Sequence, residues 1–290
     1  MTFSQKFSKP PITSWSISRR QVFEQCKYRA ALAWGYKVPD TQPKNAADRG
    51  TEVHQHAEDF VMGRRSTLVH ELRFFNDDIR ALRSHAEAGR VTCEEEWGFD
   101  KNWEPTAWKT AWLRLKLDAS VNMPGGLGVV IDYKTGKRFG NEVKHAEQLQ
   151  LYSLTKLLRE PATQKVVSEL WYVDQDELAR FEMLRKQMTR YLGIFDKKGR
   201  EITECTHFPP NPNIFTCKWC PYHPSKQGEC VYGAPLQSEN QLAASQPIDF
   251  SKIKKPAVDP ELAAEAAALA RSLETAEQAV KGVDHKRERK

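Results

Sequence analysis

The chain contains the stretch GVVIDYKTG at residues 128–136, an apolar run that ends in an acid and a lysine two positions apart. A short apolar run bounded by glycines is typical of a buried strand. Side chains two positions apart on a strand lie on the same face. The sequence therefore predicts that Asp132 and Lys134 project together from the end of a strand.

The segment just upstream, LRLKLDA at residues 113–119, alternates strictly between apolar and polar residues. On a strand this pattern puts the three leucines on one face and Asp118 on the other. Two adjacent strands can then bring Asp118 to Asp132 and Lys134. Converging carboxylates provide the oxygen ligands that Mg²⁺ or Mn²⁺ prefers, and a nearby lysine can polarise a phosphate or an attacking water. The combination indicates a nuclease site.

Two further pairs of residues are spaced four apart in segments of helical periodicity. Residues at this spacing share one face of a helix. In the first pair, Gly50 allows close approach where the imidazole of His54 projects. In the second, Gln148 and Tyr152 place an amide and a phenol together, which suits positioning a lysine, a water or a phosphate. Taken singly, each motif also fits a purely structural role, such as a strand running into a turn or a hydrogen-bonded helix histidine.

Taken in order, the motifs resemble the RecB-like branch of the PD-(D/E)xK nuclease superfamily. The resemblance rests on four motifs: Gly50-x-x-x-His54, Asp118, Asp132-x-Lys134 and Gln148-x-x-x-Tyr152. Each motif alone is common, but the ordered set across residues 50–152 is much less so. The acid before the lysine is aspartate, as expected for this branch, whereas many other members carry glutamate.

The resemblance implies a role for each matched residue. Asp118, Asp132 and Lys134 would be catalytic. The metal ligands for one or two Mg²⁺ or Mn²⁺ ions would be His54, Asp118, Asp132 and the backbone carbonyl of Tyr133. Gln148 and Tyr152 would contact DNA or orient Lys134.

The resemblance also implies an α/β fold, with a restriction-endonuclease-like core in which a mixed central sheet is flanked by helices. Local patterns predict helices and strands in an order that matches this core. Helices are predicted at 16–34, 45–63, 76–89, 142–158 and 184–195, and strands at 91–99, 107–122, 127–134 and 165–174. Residues 1–11 look like a loose leader.

The cysteines form a second set of candidate ligands. No apolar leader or membrane-spanning run occurs, so we expect a cytoplasmic chain with reduced thiols, in which clustered cysteines are metal ligands. Cys217 and Cys220 form a C-x-x-C pair and Cys230 follows. Cys26, in the predicted N-terminal helix, is the candidate fourth ligand. Cys93 and Cys205 have no partner spacing and are interpreted as ordinary thiols.

This cysteine spacing resembles the iron–sulfur staple of AddB-type and CRISPR-associated RecB-like nucleases, as does the lead-in sequence at residues 16–26. The resemblance implies a 4Fe–4S cluster that joins the N- and C-terminal parts of the nuclease domain. Its four ligands would be Cys26, Cys217, Cys220 and Cys230. A rival assignment is a compact Zn²⁺ site made by His223 with the three C-terminal cysteines.

Composition agrees with a nucleic-acid partner. The chain has 44 basic and 38 acidic residues, for a formal charge of +6, a mild surplus that favours binding DNA largely through its phosphates. Four of its eight tryptophans, at positions 97, 103, 108 and 112, fall close together. We expect core packing for most of them, rather than stacking on unpaired bases.

Composition changes after about residue 235. We expect residues 1–235 to form the nuclease domain and 236–290 to form a polar linker, an Ala/Glu-rich helix and a basic tail. The helix at 259–280 is either a solvated helix or a docking site for a protein partner. No Walker A spacing is present, so no ATP motor is expected. No membrane partner is expected.

The function that these features predict is metal-dependent cleavage of DNA. By resemblance, the activity is exonucleolytic, on single-stranded or end-frayed DNA, in phage or prokaryotic recombination, repair or replication. A phage-encoded chain would act in the host cytoplasm. Two alternatives remain open: a nuclease-like fold that grips DNA or protein without cutting, and a structure-specific endonuclease.

Overall fold

A computed structural model describes residues 3–43, 45–136 and 138–235. The predicted linker, the helix at 259–280 and the basic tail lie outside the described residues. Within the described ranges, no helix is both long enough and apolar enough to cross a membrane.

The described chain alternates helices and strands around one central sheet. The helices are α1 (Ile17–Gln25), α2 (Lys27–Ala30), α3 (Asn45–Val61), α4 (Asn76–Glu87), α5 (Glu142–Arg159), α6 (Met188–Thr203) and α7 (Ile214–Cys217). The strands are β1 (Val91–Phe99), β2 (Pro105–Thr106), β3 (Leu113–Met123), β4 (Leu127–Lys134), β5 (Lys165–Tyr172) and β6 (Glu177–Leu184). A π-helical turn, Ala31–Gly35, follows α2.

The six strands form one mixed sheet in the order β2-β1-β3-β4-β5-β6. Strands β4 and β5 are parallel, and α5 makes the crossover between them that a parallel pair requires. Every other neighbouring pair in this sheet is antiparallel. The predicted α/β fold with a mixed central sheet flanked by helices is confirmed.

Two apolar clusters cover the sheet. One joins α1, α5 and α6 to the sheet and contains the buried rings of Trp97, Trp103 and Trp112. The other lies under α3 and α4 and contains residues such as Phe60 and Trp171. The prediction that most of the clustered tryptophans pack in the core is therefore confirmed, because only Trp108 among the four is partly exposed.

The predicted helix at 16–34 is wrong as a single element, because it breaks at Cys26. This residue has an extended backbone, with φ −159° and ψ 110°, between α1 and α2. Helical periodicity continues through the break, so no local pattern reveals it. The loop at 211–213 explains the conformation: the side-chain amide of Asn211 donates to the carbonyl of Gln25 at 2.9 Å, and its backbone N–H donates to Cys26 Sγ at 3.4 Å.

The sheet also differs from prediction at its edges. Strand β3 begins at Leu113 rather than 107, and strand β6 was not predicted. The helix expected at 184–195 instead spans Met188–Thr203. The exposed face of strand β6 carries two leucines besides Arg180 and Glu182, so its sequence lacks the regular alternation of apolar and polar residues that predicts a strand. The N-terminal segment is not a loose leader, because the backbone N–H of Phe7 donates to the carbonyl of Thr206 at 2.9 Å.

Candidate active site

The site lies where strands β3 and β4 separate. Their pairing ends at Ala119 and Ile131. At the next position a side-chain hydrogen bond replaces the backbone pairing between the two strands. Asp118 Oδ2 accepts from the backbone N–H of Tyr133 at 2.7 Å. Asp118 is only 8% exposed, so the gap between the strands holds a buried carboxylate.

A local break in the pairing of β1 and β3 sets this position, because their register passes from Cys93–Ala119 to Glu95–Leu117 and omits Glu94 and Asp118. On β3, Leu117 packs in the cluster under α5, whereas Ala119 packs in the cluster under α3, although both positions have the same parity. A flat strand would keep them on one face. On β1 the buried side chains likewise change from one cluster to the other around Glu94. The φ of Glu94 is +54°, which lies in the left-handed region. A non-glycine residue there costs on the order of 1–3 kcal/mol, a strain found often at functional sites.

Asp132 is the centre of a second group of side chains. Its Oδ1 accepts from Gln148 Nε2 at 2.8 Å and from the hydroxyl of Tyr152 at 3.3 Å. The ammonium of Lys134 lies 2.6 Å from Oδ2. Asp132 is only 3% exposed, so these contacts hold its carboxylate in one orientation. The predicted convergence of Asp132 with Lys134, and of Gln148 with Tyr152, is present.

His54 connects Asp118 on β3 with the backbone of Tyr133 on β4. Its Nε2 lies 2.9 Å from the carbonyl oxygen of Tyr133, and its Nδ1 lies 3.3 Å from Asp118 Oδ1. Gly50 lies one turn earlier on α3, and a Cβ added there would lie 3.2 Å from the hydroxyl of Thr135. The small residue therefore lets the helix approach the end of β4, as expected. The structure thus brings all the predicted ligand residues to one end of the sheet.

The electrostatics of the site favour a cation. Burial, and then the charge of Asp132, raise the pKa of Asp118 to about 6, against the hydrogen bond from His54. Burial alone would lower the pKa of His54, but its hydrogen bond to Asp118 and the two carboxylate charges raise it. Burial likewise opposes the charge of Lys134, yet Asp132 raises its pKa, so the lysine stays protonated.

Glu94 is a site residue that the sequence did not reveal. Ligand atoms of His54, Glu94 and Asp118 all lie within 4.8 Å of one another, a spacing that suits one metal ion. Lys116 forms an ion pair with the same carboxylate. The run of three glutamates at 94–96 is an ordinary polar strand pattern, and only the break in β1 distinguishes Glu94 from the other two.

We expect Glu94→Gln to weaken binding of the divalent metal, because the change removes one negative charge from this group. The Mg²⁺ concentration for half-maximal cleavage should rise roughly 10-fold or more, as for other residues that support metal ligands. The matched control is Glu96→Gln, at an exposed position on the same strand. A Mg²⁺ titration in which both variants follow the wild type would rule out Glu94 as part of the metal site.

The four predicted cluster ligands line one small, partly open cavity between the N-terminal helices α1 and α2 and the loop at 206–233, which we call the C-terminal loop. These ligands are Cys26, Cys217, Cys220 and Cys230. The sulfurs of Cys26 and Cys217 accept backbone N–H groups of Asn211 and Ala234, each at 3.4 Å. N–H···S bonds of this kind also accompany the cysteine ligands of iron–sulfur clusters.

The spacing of these residues bears on the choice of metal. A tetrahedral zinc site with Zn–S bonds of about 2.3 Å holds its sulfurs roughly 3.8 Å apart. In the described part of the chain, no three cysteine and histidine ligand atoms lie within 4.8 Å of one another at this cavity. Both ring nitrogens of His223 are engaged, with Ser225 Oγ at 2.8 Å and the carbonyl of Ala234 at 2.9 Å. In this arrangement neither ring nitrogen of His223 is free to bind a metal.

Cys93 and Cys205 do not line this cavity. Burial raises the pKa of Cys93 to about 12, which makes its thiol inert. The thiol of Cys205 donates to the carbonyl of His207 at 3.1 Å. Both fit the interpretation of ordinary thiols.

Comparisons with known proteins add family evidence. A family model described as the PD-(D/E)XK nuclease superfamily matches residues 14–225. Among solved structures, the chain is similar to SSO0001, at 14% identity and a TM-score of 0.38, over 77% of this chain and 88% of that one. No curated protein matches.

The alkaline exonuclease LHK-Exo from Laribacter hongkongensis is another similar structure. Its identity is 11% and its TM-score 0.24, over 66% of this chain and 92% of that one. For the complex of LHK-Exo with dAMP, the identity is 12% and the TM-score 0.27, over 66% of this chain and 87% of that one.

Proposed function

This chain belongs to the PD-(D/E)XK nuclease superfamily, and on that basis we propose that it is a metal-dependent DNA exonuclease of the RecB-like branch. The observation that carries the proposal is the meeting of two buried carboxylates, an imidazole and a lysine at one end of the sheet. These groups are Asp118, Asp132, His54 and Lys134. The family supports a phosphodiester hydrolase, and exonuclease action is the further step that we propose.

The donor set fits a hard divalent cation such as Mg²⁺ or Mn²⁺, because it is made mainly of oxygens. The residues that would hold it are His54, Asp118, Asp132 and the carbonyl of Tyr133, with Glu94 beside them. A bound cation would lower the pKa of a water and neutralise charge on the scissile phosphate.

The chain's own residues supply the remaining chemistry. Lys134 stays protonated, so its ammonium is placed to stabilise negative charge that develops on the phosphate. Gln148 and Tyr152 fix the orientation of the Asp132 carboxylate. His54 must release its proton to become a ligand, so metal binding should strengthen as the pH rises.

The second part of the proposal is a 4Fe–4S cluster held by Cys26, Cys217, Cys220 and Cys230. Their shared cavity and the two N–H···S bonds support it. Such a cluster would join the N-terminal helices to the C-terminal loop. Zn²⁺ at the same residues is the alternative that metal analysis tests.

We propose that the substrate is single-stranded or end-frayed DNA, held largely through its phosphates, in phage or prokaryotic DNA recombination, repair or replication. The corresponding location is the cytoplasm, or the host cytoplasm for a phage enzyme. Residues 1–235 would form the nuclease domain. A protein partner at the 259–280 helix stays a proposal from sequence, since that segment lies outside the described residues.

The test is a cleavage assay with anaerobically purified protein on end-labelled linear and circular DNA, single- and double-stranded, with Mg²⁺, Mn²⁺ or EDTA. We expect metal-dependent loss of linear single strands from one end. Lys134→Met should lower the rate roughly 100- to 1000-fold, as removal of one charge-stabilising donor does elsewhere. Lys165→Met is the control, because Lys165 pairs with Glu182 on a different part of the sheet.

Two other results of this assay would each indicate a different function. Cutting of circular strands would identify an endonuclease instead. Binding without cutting in every metal, unchanged by Lys134→Met, would reject the enzyme and favour a non-cleaving module.

A further inference from the structure

An open groove of about 510 Å³ leads away from the candidate active site. We call it the strand groove; its walls include Arg19, Trp108, Arg114 and Lys116. Gln148 and Tyr152 also line it, and both donate to Asp132 Oδ1. The Tyr152 hydroxyl also lies 3.3 Å from the carbonyl of Lys116. The groove is therefore continuous with the metal-binding residues.

Two arginines in the groove have no acidic partner. Arg19 donates to the carbonyl and hydroxyl of Ser14, at 3.2 and 3.1 Å. Arg114 donates from NH2 to the carbonyl of Lys109 at 2.9 Å. Neither lies within ion-pair distance of a carboxylate anywhere in the described ranges, whereas Arg138, Arg180 and Arg200 each do.

The two guanidinium groups are close enough to interact unfavourably. Burial, and then the charge of Arg114, lower the pKa of Arg19. The Nε of Arg114 is buried and has no hydrogen-bond partner among the described residues. A buried donor without a partner is costly, and so are two like charges side by side. An anion bound between the arginines would relieve the repulsion between their charges.

The start of α1 reinforces this preference for an anion. The hydroxyls of Ser16 and Ser18 lie 3.0 Å apart at the groove, and Ser16 Oγ caps the helix by accepting from the N–H of Arg19. The first turn of the helix has no acidic residue. The positive end of the helix dipole therefore adds to the two arginine charges.

Trp108 gives the groove an aromatic wall. It is the one partly exposed member of the tryptophan group at 97–112, and the guanidinium of Arg114 lies 5.6 Å from its ring centroid. A basic groove with an aromatic platform is the usual arrangement for binding single-stranded nucleic acid. The interior bases of a duplex are stacked on both faces and cannot offer a free ring face to Trp108.

We propose that the strand groove binds a single-stranded segment of DNA next to the active site, with a phosphate between Arg19 and Arg114 and an unpaired base against Trp108. The inference rests on the proposed function, because it names the part of the substrate that the same site selects. The phosphate is either an internal phosphodiester or a terminal one.

The test is equilibrium binding by fluorescence anisotropy in EDTA, which stops cleavage. The probes are a 3′-labelled single strand with a 5′-phosphate, the same strand with a 5′-hydroxyl, and a blunt duplex. The variants are Arg114→Gln, Arg114→Lys and Trp108→Leu. The controls are Arg200→Gln, whose arginine pairs with Asp196 on α6, and Phe74→Leu, an exposed ring outside the groove.

Arg114→Gln should reduce the slope of log affinity against log salt by about 0.7, the value for one phosphate contact on a single strand. Arg114→Lys should keep the slope. Trp108→Leu should weaken single-strand binding about five-fold or more without changing the slope, and should affect the duplex less. An Arg114→Gln effect confined to the 5′-phosphorylated strand identifies a terminal phosphate, and an equal effect on both strands identifies an internal one.

The groove proposal would be overturned if Arg114→Gln and Trp108→Leu, with unchanged melting temperatures, bound single strands with the affinities and salt slopes of the wild type. Metal-dependent cleavage by the wild type would still stand in that case. Conversely, a wild type that binds single strands through the groove but never cuts them would reject the proposed nuclease function alone.

Discussion

Replacing Asp118 by asparagine should abolish cleavage and at the same time stabilise the metal-free protein. The loss of one carboxylate ligand should lower the cleavage rate roughly 10³- to 10⁴-fold, because a catalytic metal supplies several kcal/mol of transition-state stabilisation. The gain in stability arises because Asp118 is a buried acid beside Asp132. Asparagine removes that repulsion and leaves the ion pair between Asp132 and Lys134 intact.

The local hydrogen bonds accommodate the change. The amide oxygen of asparagine can still accept from the N–H of Tyr133. Its NH₂ can donate to His54 Nδ1, while Nε2–H donates to the carbonyl of Tyr133. This arrangement suits a neutral imidazole, so no buried charge is left without a partner.

The stability difference should depend on pH. The folded state raises the pKa of Asp118 to about 6, above its value in an unfolded chain. Folded protein therefore binds more protons than unfolded protein between about pH 4 and pH 6, and the stability of the metal-free wild type falls across this window. His54, whose pKa is also raised, loses its stabilising contribution as the pH rises through that pKa. The advantage of the asparagine variant should grow from pH 4 to above pH 6.

Differential scanning fluorimetry across pH, with EDTA or Mg²⁺, measures both effects. The wild type should gain stability from Mg²⁺ and the variant should not. The control is Asp77→Asn, at an exposed position in the first turn of α4. An asparagine variant that cleaves DNA normally, or that is less stable than the wild type in EDTA above pH 6, would contradict this account of the site.

Cys26→Ser should cost more stability than any other single change proposed for this chain. Thiolate metal sites contribute folding free energy on the order of 10 kcal/mol. Loss of the ligand that joins the N-terminal helices to the C-terminal loop should therefore lower the melting temperature by roughly 20 to 40 °C. The anaerobically purified wild type should be brown and contain iron and sulfide, and the variant should be colourless.

The control is Cys205→Ser, since this thiol lies outside the cavity and bonds only to a nearby carbonyl. Metal analysis separates the two candidate cofactors. Stoichiometric zinc that is lost in His223→Ala but kept in Cys26→Ser would reject the iron–sulfur assignment and support the compact zinc site.

The parts of this structure that the sequence predicts are those with a strong local pattern. Strands β1 and β4 have the predicted ends, because each is a run of strand-forming residues bounded by turn signals. The contact between Gln148 and Tyr152 follows from their spacing on one helix, and their side chains are 2.7 Å apart. The contact between Asp132 and Lys134 follows in the same way from the period of a strand.

The parts that the sequence did not predict depend on contacts between distant segments. The break at Cys26 is stabilised by Asn211, which is 185 residues away. The place of Glu94 in the site depends on the break in pairing between β1 and β3, and its neighbours Glu95 and Glu96 carry the same side chain. No window of local sequence contains this information.

The attachment of the N-terminal segment to the C-terminal loop has a consequence for the order of folding. Phe7 bonds to Thr206, and Gln5 accepts from the N–H of Phe208, so segments about 200 residues apart in the chain are held together. Contacts of such high sequence separation form late, because a long stretch of chain must close before they gain any energy. During synthesis, α1 and Cys26 must wait until the C-terminal loop has left the ribosome. The proposed set of four cluster ligands is therefore complete only after translation has passed Cys230.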